Sequence, residues 1–318
     1  MNIQQIAKLS GVSISTVSRV FSRRPGVRDE VRDRVMEIAR SHGYRPRFTS
    51  RERNVVVITP YNAVFPVQSC VDMLLMALAQ TLPLNGFRME ILPVNNLERL
   101  DSIQFCGAAA IGCELADFPK WAERFPEPLF IIDRTPAGKV PPGIGFVRSD
   151  EAQGMKMALE YLFSRGCRRI GCIIHGTPER GNALIRRRAV ADFMKNRVPD
   201  ADDLIYYSGD GDEKYVELIG KLLKKGVDAL FCPGGNAGII SLYALNLFGR
   251  SVPGDVSLIA SEQTAFSMYT TPPLTTLSPD YPQLAQHVCD LLESWIGNSP
   301  TASPEGVPYR LIRRESCR

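Results

Sequence analysis

From Val55 onward the sequence repeats one rhythm, a short apolar run followed by a stretch of helical periodicity. The runs are "VVVIT", "FRMEIL", "GAAAIG", "PLFIID", "RIGCIIH", "DLIYYS", "DALFCP" and "DVSLIA". Parallel strands cannot be joined by a tight turn and need a crossover, usually a helix, so strands separated by helical stretches predict βαβ units. Such a sheet is covered by helices on both faces. The fold class expected for this part is α/β with parallel sheets. It holds roughly 260 residues, more than one hydrophobic core comfortably serves, so two lobes are expected.

The first 46 residues follow a different period. Asn2 is placed to cap a helix over Ile3 to Leu9, with Gln5 three residues on as in a capping box, and Ile3, Ile6 and Ala7 form its apolar stripe. Gly11 stops that helix, and Ser13 is a natural cap for a second one over Ile14 to Phe21. Two short helices about so tight a turn make a helix-turn-helix. Val17, Val20 and Phe21 share the inner face of the second helix, which leaves Ile14, Ser15, Ser18 and Arg19 outward. A recognition helix needs that division, because its first residues reach base edges in the major groove. A third helix is expected from Asp29 to Ser41, with Val31, Val35 and Ile38 inward and Gly43 after its end.

Charge supports this split. Residues 1 to 53 carry one Lys and eleven Arg against five acids, a balance of +7. The whole chain is +4, so the remainder is 4 − 7 = −3. A basic head on a slightly acidic body suits a polyanion-binding module attached to something else. The eight cysteines show no Cys-x-x-Cys pair and the three histidines, at 42, 175 and 287, lie far apart, so no disulfide framework, metal or other cofactor is signalled. Free thiols, the absence of an apolar run long enough to span a bilayer and the absence of a signal peptide make a cytoplasmic protein without a membrane partner the expectation. No dinucleotide fingerprint or nucleophile elbow is present, so no enzyme is expected.

The wording of the head is more specific than its pattern. The run "IQQIAKLSGVSISTVSRVFSRRPGVRDEVRDRVMEIARSHGYRP" resembles the lactose-repressor (LacI/GalR) family, whose members read "DVA..AGVS..TVSRV" and close the third helix on "GY.P". Further landmarks recur in the body: Asp150 and Gly154 ahead of "LFSRGCRRIGCI", then "VPGDVSLIA" and "PPLTT". The resemblance implies a transcriptional regulator, expected to be a repressor. Its parts would be a helix-turn-helix domain over 1–46, a shortened basic hinge over 47–54, and a bilobed domain over 55–318 like a type I periplasmic sugar-binding protein. Lobe 1 would comprise about 55–147 and 278–299, and lobe 2 about 148–277 and 306–318, with crossovers near Val147, Leu277 and the 299–308 stretch. By position, Ile14, Ser15 and Arg19 would read bases, Ser13, Thr16 and Ser18 would contact the backbone or cap the helix, and Arg23 and Arg24 would hold phosphates. The partners expected are double-stranded operator DNA and a second copy of the chain, since one recognition helix reads only a half-site.

A small-molecule effector, a sugar or a derivative of one, would bind between the lobes at the carboxyl ends of strands. The candidates are Asp133 and Arg134 at the end of "PLFIID", Arg186 in "RRRAVADF", and Glu262 in "ASEQ". Departures from the family pattern are plain. Gly234, Gly235 and Asn236 stand where relatives carry Asn-Asp, and Ala189 stands for a glycine after the arginine. These departures keep a second function open: a DNA-binding protein, constitutive or partner-regulated, whose cleft takes no effector.

In the linker, "PRFTSRERN" places Arg51 at the family's arginine but Arg53 where relatives carry a leucine that wedges into the central minor-groove step. Arg47, Arg51 and Arg53 are therefore expected to contact phosphates or the minor groove, and operator bending to be weaker than in relatives.

Overall fold

The computed structural model of the protein describes residues 2–21, 26–44, 53–60, 70–136, 138–179, 181–209, 211, 213–262, 265–297 and 306–318. Three helices come first: α1 (Ile3–Ser10), α2 (Ile14–Phe21) and α3 (Asp29–Ser41). The capping box is present, with Gln5 N–H donating to Asn2 Oδ1 at 3.0 Å and Asn2 N–H donating to Gln5 Oε1 at 2.9 Å. Gly11 ends α1 in the left-handed region at φ 65°, where a side chain would be strained. The Thr16 N–H then donates to Ser13 Oγ at 3.1 Å, so Ser13 caps α2 as its sequence position suggested. Ile6, Ala7, Val17, Val20, Phe21, Val35 and Ala39 close the core between the three helices. Val31 and Ile38 are only partly buried, because the face of α3 turned inward is centred on Val35 and Ala39.

The body contains two sheets. The first comprises β1 (Asn54–Thr59), β2 (Arg88–Pro93), β3 (Gly107–Ile111), β4 (Leu129–Ile132) and β5 (Ile144–Val147), in the order β2-β1-β3-β4-β5 and all parallel. The helix α4 (Cys70–Leu84) packs on one face, and a short helix α5 (Trp121–Arg124) helps to cover the other. The second sheet takes β6 (Ile170–Ile174), β7 (Ile205–Tyr207), β8 (Ala229–Cys232), β9 (Ser257–Ser261), β10 (Thr275–Ser278) and β11 (Arg310–Ile312), in the order β11-β10-β9-β8-β6-β7. Only β11, at the edge, is antiparallel to its neighbour. Around this sheet lie α6 (Glu151–Ser164), α7 (Gly181–Met194), α8 (Tyr215–Lys224) and α9 (Ala237–Leu247). The last helix, α10 (Tyr281–Ile296), returns to the first sheet and packs beside α4. The chain thus passes between lobes after β5, after β10 and again before β11. Residues 298–305 of the last crossing lie outside the described residues.

The eight apolar runs coincide with β1 to β4 and β6 to β9; side chains of the central strands, such as Ile58 and Ile131, are wholly enclosed, while the edge strands β2 and β7 stay partly exposed. Each such aliphatic side chain contributes about 1.5–3 kcal/mol of burial. Three strands carry no comparable run. β10 reads "TTLS", and its buried threonines are tolerable because their hydroxyls are bonded: Thr275 Oγ1 accepts from Arg314 N–H at 3.0 Å, and Thr276 donates to Glu262. β5 is interrupted by Gly145, and β11 is a three-residue edge strand.

Candidate functional site

Two places gather chemistry. The first is the outer face of α2. Ser13, Ile14, Ser15, Ser18 and Arg19 are exposed there and Thr16 is half-buried, while Val17, Val20 and Phe21 face the core. Ser13 Oγ lies 2.8 Å from both Ser15 Oγ and Thr16 Oγ1, a cluster of hydroxyls at the amino end of the helix where partial positive charge collects. Short polar side chains, a branched apolar one and an arginine one turn later can enter a groove, hydrogen-bond base edges and touch phosphates.

Of the basic residues expected to join them, Arg23, Arg24, Arg47 and Arg51 lie outside the described residues. Arg53 is described, and its position corrects the expectation of a DNA contact. Its guanidinium lies 4.2 Å over the Phe87 ring and pairs with Glu293 of α10, and it donates to the Asn85 carbonyl at 3.2 Å. The first lobe therefore holds this arginine through partners up to 240 positions away in the chain, which no local pattern could display.

The second place is the cleft between the lobes, a cavity of about 700 Å³, within the range of small-molecule sites. It lies at carboxyl ends of strands in both sheets. In the second sheet, β6 and β8 are neighbours from which the chain order runs outward in both directions, the topological switch point at which open α/β sheets bind ligands. His175 follows β6 there, and Gly234 and Gly235 follow β8. Across the gap stand Glu114 after β3, then Asp133 and Arg134 after β4.

Asp133 adopts φ 56°, a left-handed conformation uncommon for a residue with a side chain. Its Oδ1 accepts from the Ser149 N–H at 3.2 Å, and its carbonyl accepts from Asn182 Nδ2 at 3.0 Å. One residue thus touches its own lobe, the first crossover and α7 of the other lobe. Arg134 Nε donates to Glu114 Oε1 at 3.0 Å.

Arg186 reaches the cleft from α7 but is already gripped. Its Nε donates to Glu151 Oε2 at 2.7 Å and its Nη2 to Oε1 at 2.6 Å, a fork-to-fork pair with side-chain exposures of 12% and 4%. The Tyr309 hydroxyl donates to the same Oε2 at 3.1 Å. Burial lifts the pKa of the Glu151 carboxyl, against which Arg186 pulls. On Arg186 the same burial penalty is outweighed by Glu151, so the guanidinium is held charged well beyond its usual range. Glu151 begins α6 just past the first crossover, and Tyr309 follows the third. The pair therefore ties a cleft residue to two of the three lobe connections.

The glycines that replace Asn-Asp now have a physical reason. A Cβ on Gly234 would stand 2.5 Å from Arg186 Nη1, and one on Gly235 2.6 Å from His175 Nδ1, with φ of 89° and 57°. Any side chain at either position would collide with cleft residues.

Asp133, Arg134 and Arg186 therefore share one cavity, and Glu262 does not line it. The Glu262 carboxylate turns into the second lobe, where it accepts from Arg314 Nη1 at 2.9 Å and from the Thr276 hydroxyl. Arg314 follows β11, and the pairing of β10 with β11 carries it to this spot, a tertiary event that corrects the sequence expectation. Sequence reasoning missed Glu151, Tyr309, His175, Glu114 and Asn182. Only Glu151, in "SDEAQG" at a helix start, left a signal, and there an acid reads first as a helix-terminus charge.

Comparison with known proteins agrees with this architecture. Residues 159–317 match a periplasmic binding protein-like domain, and residues 2–47 match the lacI family of bacterial regulatory proteins. The chain is 24% identical to the HTH-type transcriptional regulator MalR of Clostridium butyricum, over 100% of this chain and 99% of that one. It is 26% identical to the HTH-type transcriptional regulator GalR of Salmonella typhimurium, over 99% and 95%. Among solved structures it is similar to a CelR–cellobiose complex, with a TM-score of 0.71, 22% identity and coverage of 99% of both chains. It is also similar to the Lac repressor dimer bound to operator and the anti-inducer ONPF, with a TM-score of 0.66, 17% identity and coverage of 99% and 98%.

Proposed function

The chain belongs to the LacI/GalR family of transcriptional regulators, and from that premise we propose that residues 1–46 read operator DNA while the interlobe cleft takes a small-molecule effector. The observation that carries the first part is the division of α2 into a buried apolar face and an exposed face bearing Ile14, Ser15 and Arg19. Ser13, Thr16 and Ser18 hold the backbone or cap the helix, and Arg23, Arg24, Arg47 and Arg51 supply phosphate contacts. Operator DNA places the protein in the cytoplasm. Among the described residues no helix is long and apolar enough to cross a membrane.

Arg19→Ala is expected to lower discrimination between operator and random DNA by about 1–3 kcal/mol. Arg23→Ala or Arg24→Ala should instead weaken both DNAs alike and reduce the salt slope by about one unit. Fluorescence anisotropy over a salt series separates these outcomes, and unchanged discrimination in Arg19→Ala would remove that residue from the reading face.

The working unit is a homodimer. α9 is apolar nearly all round, and a helix of that kind is buried in the finished molecule. One face, Ala237, Ser241, Ala244 and Leu245, packs inward, while Ile239, Tyr243 and Leu247, spaced four residues apart, are 43%, 63% and 60% exposed. The turn carrying Phe266, Met268 and Tyr269 adds further exposed apolar surface beside it, since Leu274, bonded to the Ser267 carbonyl, packs against Gly238 of α9. A second copy is the occupant, because a symmetric patch brings two recognition helices onto two half-sites.

The effector reading is supported by the cavity at a topological switch point and by the ties from Asp133 and Arg186 to the crossovers. The CelR structure similar to this one was determined with cellobiose. A ligand seated between Asp133 and Arg186 would act on Ser149, Glu151 and Tyr309, and through these crossover residues on how the lobes, and with them the two heads of a dimer, are spaced.

A further inference from the structure

We infer that His175 is the residue through which the second lobe discriminates between effectors, meeting a hydroxyl of a neutral saccharide; this rests on the effector reading above. The imidazole is half-buried and lines the cavity at the carboxyl end of β6, beside the glycines that follow β8. Its backbone is pinned on both sides. The His175 N–H donates to the Pro233 carbonyl at 3.1 Å, and the next residue, Gly176, exchanges hydrogen bonds with Gly209 at 2.9 and 3.1 Å. The glycine turn opposite is tied as well, since the Gly234 N–H donates to Ser261 Oγ at 2.6 Å. A side chain on so fixed a backbone keeps the geometry that discrimination requires.

The orientation of the ring follows from its neighbours. A Cβ on Gly235 would stand 2.6 Å from Nδ1, 2.8 Å from Cγ and 3.0 Å from Cε1, and Nδ1 lies 3.4 Å from the Ser208 hydroxyl. The edge carrying Nε2 is therefore the one farthest from Gly235. Gly234 is flanked by His175 and by Arg186, whose fork with Glu151 uses Nε and Nη2 and leaves Nη1 facing the glycine. The two glycines thus keep open the space that an imidazole and a guanidinium N–H share. Arg186 offers only donors, the Asp133 carboxylate across the cleft offers acceptors, and an imidazole nitrogen donates or accepts according to its tautomer. A ligand that answers all three needs groups that both donate and accept, and the hydroxyls of a saccharide do so.

The test uses the full-length protein and a panel of neutral saccharides: glucose, galactose, fructose, maltose, sucrose and cellobiose. Binding is followed by calorimetry, and the melting temperature without ligand is recorded for every variant. His175→Ala is expected to weaken the saccharide that binds by at least about tenfold. His175→Gln, whose amide reaches the place of Nε2, should keep most of the affinity, whereas His175→Asn, which reaches only that of Nδ1, should behave like His175→Ala. A ring that merely fills space would not separate those two variants. Gly235→Ala should also weaken binding by crowding the ring, and should add nothing when combined with His175→Ala, since the two changes then act through one side chain. Unchanged affinity in His175→Ala, equal behaviour of the Gln and Asn variants, or additive losses in the double variant would each overturn the role of His175 and leave the effector reading standing. Binding of no saccharide overturns both.

Discussion

The double change Tyr243→Asp and Leu247→Asp is expected to leave each subunit folded and to weaken operator binding by roughly 10²- to 10⁴-fold. The reason lies in what α9 exposes. Both side chains are mostly exposed, so polar replacements there remove little intrachain packing. In a dimer they would place two carboxylates per subunit across an apolar, two-fold interface, where each would have to be desolvated without a partner. A monomer keeps one recognition helix and so loses the gain in effective concentration that the second head supplies. Sedimentation would show the change in mass, and operator titration the loss of affinity. A dimer of unchanged stability would place the interface elsewhere on the molecule.

Glu151→Ala should be the most destabilising single change in the cleft, by about 3–5 kcal/mol, because it leaves the Arg186 charge buried without its carboxylate and strips Tyr309 of its acceptor. For a chain of 318 residues that corresponds to a fall in melting temperature of roughly 4 to 8 °C. The paired replacement Glu151→Leu with Arg186→Met should recover most of the loss, since apolar side chains of similar volume remove both charges together. Any ligand response should still be absent in the pair, because the residue joining cleft to crossovers is gone. A small shift in Glu151→Ala, below that of an ordinary core truncation, would mean that water reaches Arg186 and that the pair does not tie the lobes.

These two predictions draw on parts of the molecule that differed in how legible they were. α2 and α3 begin and end where capping and periodicity placed them, since a short helix on a small core is governed by its own residues: Ser13 at its start, Val17 and Phe21 on its inner face. The strands β1, β3, β4, β6, β8 and β9 were visible because both sheet faces are buried there and each strand is apolar nearly throughout, whereas the edge strands β2 and β7, partly exposed, showed only as shorter apolar stretches between helical ones. β10 was not, because its threonines owe their burial to Arg314 and Glu262. Asp133 and Arg186 could be named as cleft candidates from strand ends and motif position. Glu262 and Arg53 belonged to the same kind of reasoning and turned out to be bound elsewhere, by Arg314 and by Glu293 with Phe87. A charged side chain chooses among partners brought by the fold, and those partners lie 52 and 240 positions away. Glu151 was hidden for the converse reason. At a helix start an acid needs no further explanation, and its bond to Arg186 appears only when α6 and α7 are packed together.

The measurement that bears most directly on the central claim is selection of binding sites by the full-length protein from a pool of random-sequence duplexes at physiological salt. A dimeric reader that presents α2 to the major groove should enrich a two-fold symmetric site. Its half-sites should repeat at about one helical turn, roughly 34–36 Å, or a multiple of it. Enrichment of a single asymmetric element would contradict the dimer, and a pool that stays random through successive rounds would contradict sequence-specific DNA recognition itself.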